Sequence, residues 1–252
     1  MNYLETTPAA HPAYRAEKRE RIDAYGHDDE FRALSNAWRV LALRKQYMNN
    51  FSWLGRPLIQ LPSDAMAMQE IIWAVKPDLI IETGVAHGGS VVLSASLLEL
   101  LGHGEVLGID IDIRPHNRQA IEAHPLARRI SLIEGSSTDP TVVAQVRERA
   151  AGKARVLVCL DSNHTHDHVL AELEAYAGLV SVDSYCIVFD TFVEDMPADH
   201  VWTDRPWGKG NNPKTAVRAW LQDHPEFEID HSIDDRLLVT SAPDGFLRRV
   251  SR

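Results

Sequence analysis

Short runs of valine, isoleucine and leucine alternate with longer stretches of mixed polarity between residues 78 and 190. Such alternation is typical of a parallel sheet that helices cover on both faces. The pattern predicts strands at residues 79–82, 105–111, 129–134, 155–160 and 185–190. It predicts helices at residues 90–101, 117–123, 140–150 and 167–178. We therefore expect an α/β fold with a doubly wound, mostly parallel sheet.

Both ends of the chain depart from this alternation. Residues 15–47 are charged and favour helix, and Ser63 or Asp64 would cap another helix that runs to about residue 75. A loop at residues 204–213 is rich in Pro, Gly and Asn. The pattern after it predicts a helix at 215–221 and strands at 227–233 and 237–240, separated by a turn at 234–236. We therefore expect the sheet to end with antiparallel strands.

The change of pattern near residue 60 predicts two units. Residues 1–60 would form an N-terminal helical segment. Its aromatic side chains between Trp38 and Trp53 suit either a lid or an oligomerisation contact. Residues 61–252 carry the alternating pattern and would form the main domain, and we expect a homo-oligomer.

Charge and composition exclude several classes of protein. A formal net charge of −10 argues against general binding to nucleic acid, whose phosphates require basic partners. No apolar run approaches the roughly 20 residues that span a bilayer, and the first residues lack the pattern of a secretory signal. Cys159 and Cys186 lie in apolar runs and are predicted to be reduced core thiols. We expect a cytoplasmic protein with no nucleic-acid or membrane partner.

A glycine-containing loop follows the first predicted strand and opens an apolar helix. Glycine lets the backbone approach a ligand closely, and a helix N-terminus offers free N–H groups. Glu82 stands just ahead of this loop, where it suits a cationic group such as an amino-acid ammonium. This arrangement points away from a dinucleotide and toward S-adenosylmethionine. The candidate cofactor residues in this segment are Glu82, Gly84, Ala86 and Ser90.

The next two strand ends add to the predicted cofactor site. Ligands of doubly wound sheets bind where strands end and the strand order reverses. The second strand ends near Asp110 and Asp112, and a carboxylate there can accept both hydroxyl groups of a ribose. Asp112 also suits a solvated loop position. The third strand ends near Ser137, where small residues leave space for an adenine.

Two aspartates follow the fourth and fifth strands. Asp161 and Asp190 should meet at one sheet edge, where their charges would repel unless a cation or a proton lies between them. Hard oxygen ligands favour Mg²⁺ or another hard divalent cation over zinc. His164 lies one turn beyond Asp161 and is a candidate general base. His168, a further turn along, is a candidate substrate contact, whereas His166 points elsewhere if the segment is helical.

These residues resemble the cephalosporin hydroxylase/rhamnosyl O-methyltransferase family over nearly all of the chain beyond residue 45. The segments that carry the resemblance are Gln60-Leu-Pro-Ser-Asp64, Glu82-Thr-Gly84, Gly88-Gly-Ser90, Gly108-Ile-Asp-Ile-Asp112, Glu134-Gly-Ser-Ser137, Leu160-Asp-Ser-Asn-His164 and Arg205-Pro-Trp-Gly-Lys-Gly-Asn-Asn-Pro-Lys-Thr215. The resemblance implies a Rossmann-like class I methyltransferase that uses S-adenosylmethionine and usually Mg²⁺. It also implies a seven-stranded sheet with an antiparallel C-terminal strand.

The resemblance also implies roles for individual residues. Asp161 would border the cofactor and, with Asp190, hold the metal. Thr191, the preceding residue or water would complete the ligand set. Catechol-type relatives carry Asn at the position of Thr191, so the third ligand stays open. Arg205 and Trp207, in the loop after the fifth strand, would contact a planar or anionic substrate.

The function expected from the sequence is methyl transfer to a hydroxyl of a small molecule, either a sugar, a catechol or an intermediate of natural-product biosynthesis. Two alternatives stay open. The first is a hydroxylase-type oxidoreductase, in which His164, His168 and Asp161 would imitate a facial iron site. The second is a catalytically idle cofactor-binding partner of another biosynthetic enzyme, which the absence of Asn after Asp190 keeps open.

Overall fold

Seven strands form the central sheet of the computed structural model, which describes residues 11–197, 199 and 204–251. In chain order the strands are β1 (Phe51–Trp53), β2 (Arg56–Leu58), β3 (Leu79–Thr83), β4 (Glu105–Asp110), β5 (Ile130–Glu134), β6 (Val156–Leu160), β7 (Tyr185–Val188), β8 (Phe227–Ile229) and β9 (Phe246–Arg249). The first two form a separate antiparallel hairpin. The helices are α1 (Pro12–Gly26), α2 (Asp29–Arg44), α3 (Pro62–Val75), α4 (Gly89–Leu101), α5 (Pro115–Glu122), α6 (Pro140–Ala150), α7 (His166–Tyr176), α8 (Pro213–Trp220) and α9 (His231–Leu237).

The strand order of the main sheet is β5-β4-β3-β6-β7-β9-β8. Strands β3 to β7 pair in parallel, and β9 runs antiparallel to both of its neighbours. The chain first builds outward from β3 and then returns to its other side with β6, so the order reverses between these two strands. This arrangement confirms the expected doubly wound, Rossmann-like sheet with an antiparallel C-terminal strand.

Alternate residues of the central strands enter two different cores. Ile80 packs in the core on one face of the sheet, whereas its neighbours Leu79 and Ile81 pack in the core on the other. The same alternation places Cys159 and Cys186 on opposite faces, both buried and both free. Burial in these apolar cores raises the pKa of each thiol. The predicted burial of both cysteines is confirmed.

The N-terminal part differs from the sequence prediction in the number and the start of its helices. The predicted helical stretch is two helices, because the chain breaks after Gly26 and Asp28 caps α2 by accepting a hydrogen bond from the backbone N–H of Phe31 at 2.9 Å. The expected cap of α3 was wrong: the helix begins at Pro62 without a side-chain cap. Asp64 instead points into the core and accepts hydrogen bonds from Thr240 and Ser241.

The C-terminal prediction was wrong in two elements. The strand expected at 227–233 ends at Ile229. The residues expected as the end of that strand and as the turn form α9, which ends at Leu237, and residues 237–240 form no strand. Asp230 accepts a hydrogen bond from the backbone N–H of Ser232 at 3.2 Å and so begins a helix. The last strand is β9, at residues that the sequence pattern did not assign to a strand, and it contains two arginines. Arg248 and Arg249 are held there by Asp183 and by backbone carbonyls. None of the helices described is long and apolar enough to cross a membrane.

Candidate active site

A cavity of about 510 Å³ opens at the carboxyl ends of β3, β6 and β7. Ligands of doubly wound sheets bind at this edge, where the strand order reverses. The register sets Thr83 beside Leu160, and Leu160 beside Val188, so the segments after these strands leave the sheet together. The glycine loop forms one wall, and Asp161, His164 and Asp190 form another. The remaining walls come from residues 43–60, 192–193 and 204–207.

The glycine loop crosses very close to the end of β6. Gly84 has φ +90°, and a Cβ atom at this position would lie 1.9 Å from the carbonyl oxygen of Asp161. Only glycine fits such a crossing without displacing the backbone. Gly84, Ala86 and Ser90, three of the predicted cofactor residues, all line the cavity.

Glu82 lies buried beneath this loop at the end of β3. Burial raises the pKa of its carboxyl to about 7, and the hydrogen bond that Ser90 donates to it opposes the shift. Such a buried carboxyl becomes a favourable partner for a cation, because a bound cation offsets the free-energy cost of burying the negative charge. The location and chemistry of Glu82 are those of a site for a positively charged group.

Asp110 fixes the shape of the glycine loop. One carboxylate oxygen accepts backbone hydrogen bonds from Val85 at 2.8 Å and Ala86 at 3.0 Å, and the other accepts one from Asp112 at 3.1 Å. A carboxylate has about four acceptor positions, so Asp110 retains capacity for a ligand hydroxyl. The side chain of Asp112 is exposed. Ser137 is buried at the end of β5, with its hydroxyl 3.1 Å from Nε2 of His168.

The reactive cluster consists of Asp161, His164 and Asp190. Their candidate ligand atoms all lie within 4.8 Å of one another. Burial raises the pKa of both aspartates; the charge of Asp190 raises that of Asp161 further, and His164 opposes the shift of Asp190. Two neighbouring carboxyls whose pKa values burial raises indicate a site for a proton or a hard cation.

Local backbone conformation contributes to this cluster. Asp190 has φ 56°, a left-handed conformation that costs a residue with a Cβ about 1–2 kcal/mol. Its carboxylate oxygen Oδ2 lies 3.2 Å from Nε2 of His164. The strained turn after β7 therefore directs the carboxylate toward the residues just beyond β6.

Two predicted residues are not brought to the reactive cluster. The hydroxyl of Thr191 donates to the carbonyl oxygen of Pro243 at 2.7 Å, and its side chain is buried. His168 lies outside the cavity lining, between the hydroxyls of Ser137 and Ser162 at 3.1 Å each. His166 contacts the hydroxyl of Thr215 at 2.9 Å, as expected of a residue that points elsewhere.

The aromatic side of the cavity is formed by Trp207 and Arg205. The Trp207 ring meets the imidazole of His164 edge to face, with ring centroids 4.7 Å apart. The guanidinium of Arg205 lies 5.2 Å from the Trp207 ring centroid. These contacts place both predicted substrate residues beside the reactive cluster.

Several lining residues have no role in the sequence prediction. Leu43, Gln46, Met48 and Asn49 reach the cavity from the N-terminal segment, and Gln60 reaches it from the segment before α3. Ion pairs join this part of the chain to the region after β7: Arg39 to Asp195 at 3.4 Å, and Arg44 to Asp199 at 2.8 Å. No local pattern reveals partners this distant in sequence. For Gln60 the available signal was its place in the segment that carries the resemblance.

A second group of potential ligands differs in its surroundings. His231, Asp234 and Asp244 lie together beside another cavity of about 490 Å³. Here Lys214 is 3.1 Å and Arg218 is 3.9 Å from Asp244, so protein cations already balance the charge. The Asp161–His164–Asp190 cluster is therefore the better candidate for a metal centre.

Comparison with known proteins gives a consistent result. The family model described as Rhamnosyl O-methyltransferase/CmcI matches residues 45–250. Rhamnosyl O-methyltransferase of Mycobacterium tuberculosis is 32% identical over 216 residues, covering 81% of this chain and 82% of that protein. The protein of the same description from Mycobacterium leprae is 29% identical over 215 residues, covering 81% and 88%.

Solved structures share the fold. A CmcI apo-structure matches with a TM-score of 0.56 and 20% identity, covering 81% of this chain and 78% of that one. A CmcI structure described as Mg-SAM matches with a TM-score of 0.55 and 21% identity over the same shares of the two chains.

Proposed function

The chain belongs to the rhamnosyl O-methyltransferase/CmcI family, and we propose that it is an S-adenosylmethionine- and Mg²⁺-dependent O-methyltransferase acting on a hydroxyl of a small molecule. The observation that carries this proposal is the convergence of Asp161, His164 and Asp190 on the cavity that the glycine loop borders. The curated relatives named as O-methyltransferases and the CmcI structure with Mg-SAM support it.

The residues present fit S-adenosylmethionine. Gly84, Ala86 and Ser90 line the cavity without large side chains, and Glu82 lies just ahead of this loop, where a cationic group would offset the cost of its buried charge. Asp110 would accept the ribose hydroxyls, with Asp112 beside it. Ser137 would contact the adenine side. We assign Gly84, Ala86, Ser90 and the edge of Asp161 to the remaining cofactor wall.

The residues present also fit a hard divalent cation. Asp161 and Asp190 offer carboxylate oxygens at short range, and the positive charge of a cation would offset the cost of burial that raises both pKa values. The hydroxyl of Thr191 is engaged with Pro243, so we propose that water completes the ligand set.

The chemistry divides between the bound groups and the chain. When bound, S-adenosylmethionine supplies a methyl group on a good leaving group, and Mg²⁺ supplies positive charge for an oxygen nucleophile. Nε2–H of His164 donates to Asp190, which leaves Nδ1 to accept the hydroxyl proton of the acceptor. The chain otherwise contributes alignment, because the glycine loop and the strand ends hold fixed positions around the cavity.

The acceptor wall favours a compact ring with neighbouring oxygens. Trp207 offers a flat surface beside His164, and Arg205 offers a cation at its edge. A sugar diol, a catechol or a related natural-product intermediate has this combination. We propose that His168 acts indirectly, by holding Ser137 and Ser162, since it lies outside the lining.

Residues 1–60 would complete the acceptor side of the cavity as a lid, with residues 61–252 as the methyltransferase domain. The lining contributions of Leu43, Gln46 and Met48 support this division. An oligomeric contact is compatible with it. Large apolar side chains of α2 are exposed, namely Phe31, Leu34, Trp38 and Leu41.

The hydroxylase alternative loses its geometric basis. A facial iron site needs a second histidine beside Asp161 and His164, but the imidazole of His168 is engaged with two serine hydroxyls.

The idle-partner alternative is tested by turnover. We expect the purified protein to bind S-adenosylmethionine in calorimetry and to convert it to S-adenosylhomocysteine with a diol acceptor. EDTA should abolish turnover; binding without turnover of any acceptor would favour the idle partner.

A further inference from the structure

Gln60 lines the active-site cavity, and the oxygen of its side-chain amide is buried. The residue lies between β2 and α3 and is 5% exposed. Its Oε1 atom has no hydrogen-bond partner among the residues described. Buried polar atoms of folded proteins nearly always have a partner, because desolvation without one is unfavourable. An orphaned acceptor on the wall of a ligand cavity therefore indicates that the ligand supplies the donor.

The segment that carries Gln60 packs directly on the first turn of α4. A Cβ atom added at Gly89 would lie 2.1 Å from the carbonyl oxygen of Pro57, so the two backbones are in contact. Ser90, the next residue, lines the same cavity and donates its hydroxyl to Glu82. Gln60 and Ser90 therefore line the cavity at the end where the segment before α3 meets the first turn of α4, and Ser90 links that end to Glu82.

The chemistry at this end suits an ammonium group. An ammonium has three N–H donors and no acceptor, so a buried one needs several oxygen partners. Glu82 supplies the negative charge, but the hydroxyl hydrogen of Ser90 is already used by Glu82. An amide oxygen adds a second acceptor without placing another negative charge beside the buried carboxyl. Glutamine fits this position better than an acidic residue would.

We propose that Gln60 binds the amino-acid ammonium group of the cofactor, with Oε1 accepting one of its N–H bonds. The assignment rests on the proposed function and adds to it a residue that recognises the amino-acid end of the ligand. Recognition there separates S-adenosylmethionine and S-adenosylhomocysteine from nucleosides that lack an amine.

Calorimetry with matched ligands tests this role. Gln60→Met keeps the side-chain length and removes the amide, and Gln119→Met, on the exposed face of α5, is the control. The probes are S-adenosylhomocysteine, S-adenosyl-3-thiopropylamine, which keeps the amine and lacks the carboxylate, and 5′-methylthioadenosine, which lacks both. We expect Gln60→Met to weaken binding of both amines by about tenfold and to leave methylthioadenosine within about twofold. The control variant should bind all three ligands as the unmodified protein does.

Each other result has a distinct meaning. Equal loss for all three ligands, or no loss for S-adenosylhomocysteine, would overturn the assignment. Loss for S-adenosylhomocysteine alone would assign the amide to the carboxylate and overturn it as well. Unmodified protein that binds no S-adenosylhomocysteine would contradict the proposed function itself. The unliganded variant should melt at an unchanged or higher temperature because an unsatisfied buried group is removed; a lower temperature would make Gln60 structural.

Discussion

At the scale of single residues, a substitution at Asp161 tests whether the metal and the cofactor bind at separate sites. Asp161→Asn removes one negative charge and leaves a neutral amide, which is a poor ligand for a hard cation. We expect loss of Mg²⁺-stimulated turnover, with the dissociation constant of S-adenosylhomocysteine within about threefold of the original. Asp167→Asn, exposed at the start of α7, is the matched control and should retain turnover. If Asp161→Asn lost both turnover and S-adenosylhomocysteine binding, the result would contradict separate metal and cofactor sites.

His164 is expected to act as the base of the reaction. His164→Ala should lower kcat by about 10²- to 10⁴-fold, the usual contribution of a positioned general base. Binding of S-adenosylhomocysteine should stay unchanged in calorimetry. Added imidazole should restore part of the lost rate, because it replaces the missing proton acceptor in the cavity. A variant with full activity would place the base elsewhere.

Glu82 gives cofactor binding a pH dependence near neutrality. Burial raises the pKa of its carboxyl to about 7 in the free protein, so the group is largely neutral below that pH. An ammonium partner requires the ionised form, and affinity for S-adenosylhomocysteine should rise between about pH 6 and 8 with release of protons. Calorimetry in buffers of different ionisation enthalpy measures this release. Glu82→Gln should remove the dependence, and an unchanged pH profile in that variant would reject the role.

The same carboxyl affects the stability of the free protein. A folded-state pKa raised above the unfolded value of about 4 contributes stability that is fully present below about pH 4 and lost as pH rises through about 7. Thermal melting with and without ligand should show this loss in the unliganded protein and less of it in the complex. A loss of equal size in both would contradict the link between Glu82 and the ligand.

At the scale of elements, the contact between the glycine loop and β6 is the most sensitive point. Gly84→Ala would force a Cβ atom to within 1.9 Å of the Asp161 carbonyl oxygen at φ +90°, and should cost about 3 kcal/mol or more. Gly102→Ala is the matched control, since Gly102 has φ +82° and open space around it. It should cost about 1 kcal/mol. Denaturant unfolding measures both values, and similar losses would contradict the close crossing.

The ion pair between α2 and the segment after β7 is predicted to position the lid. Arg39→Met breaks the contact with Asp195, while Lys214 still pairs with that carboxylate. We expect KM for the acceptor to rise about tenfold, because misplaced lining residues weaken alignment. Binding of S-adenosylhomocysteine should be unchanged. Arg32→Met, at an exposed pair with Asp235, is the control; equal effects in both variants would argue against a specific role for Arg39.

The sequence predicted elements well where burial is symmetric and poorly where it is not. Strands β3, β6 and β7 are fully buried runs of mostly apolar residues, and this pattern has few other solutions. The C-terminal end failed because Asp230 caps a helix over residues that also fit a strand, and because β9 contains two arginines. Asp64 failed as a cap because its partners, Thr240 and Ser241, are distant in sequence.

At the scale of the whole molecule, the site was predictable in its strand-end residues and not in its lid. Asp161 and Asp190 could be placed together because neighbouring parallel strands have their carboxyl ends at the same edge of the sheet. The inward contributions of Leu43 and Gln60 depend on tertiary packing that no local pattern encodes. Cytoplasmic location stays a prediction.

Self-association also stays a prediction, and the exposed apolar side chains of α2 give it a test. Trp38→Glu places a charge in the middle of that exposed row, next to Leu34 and Leu41. If α2 forms the contact, sedimentation should show the variant dissociating to a monomer while melting stays unchanged. A variant with the original sedimentation coefficient would place any contact on another surface.

Product mass tests the central claim most directly. The protein would be incubated with S-adenosylmethionine, Mg²⁺ and a panel of catechols, deoxysugars and hydroxylated antibiotics. We expect at least one acceptor to gain about 14 Da, the mass of a CH₂ group, with EDTA and Asp161→Asn both preventing the gain. A gain of about 16 Da, or methylation that EDTA and the variant leave undiminished, would contradict the account.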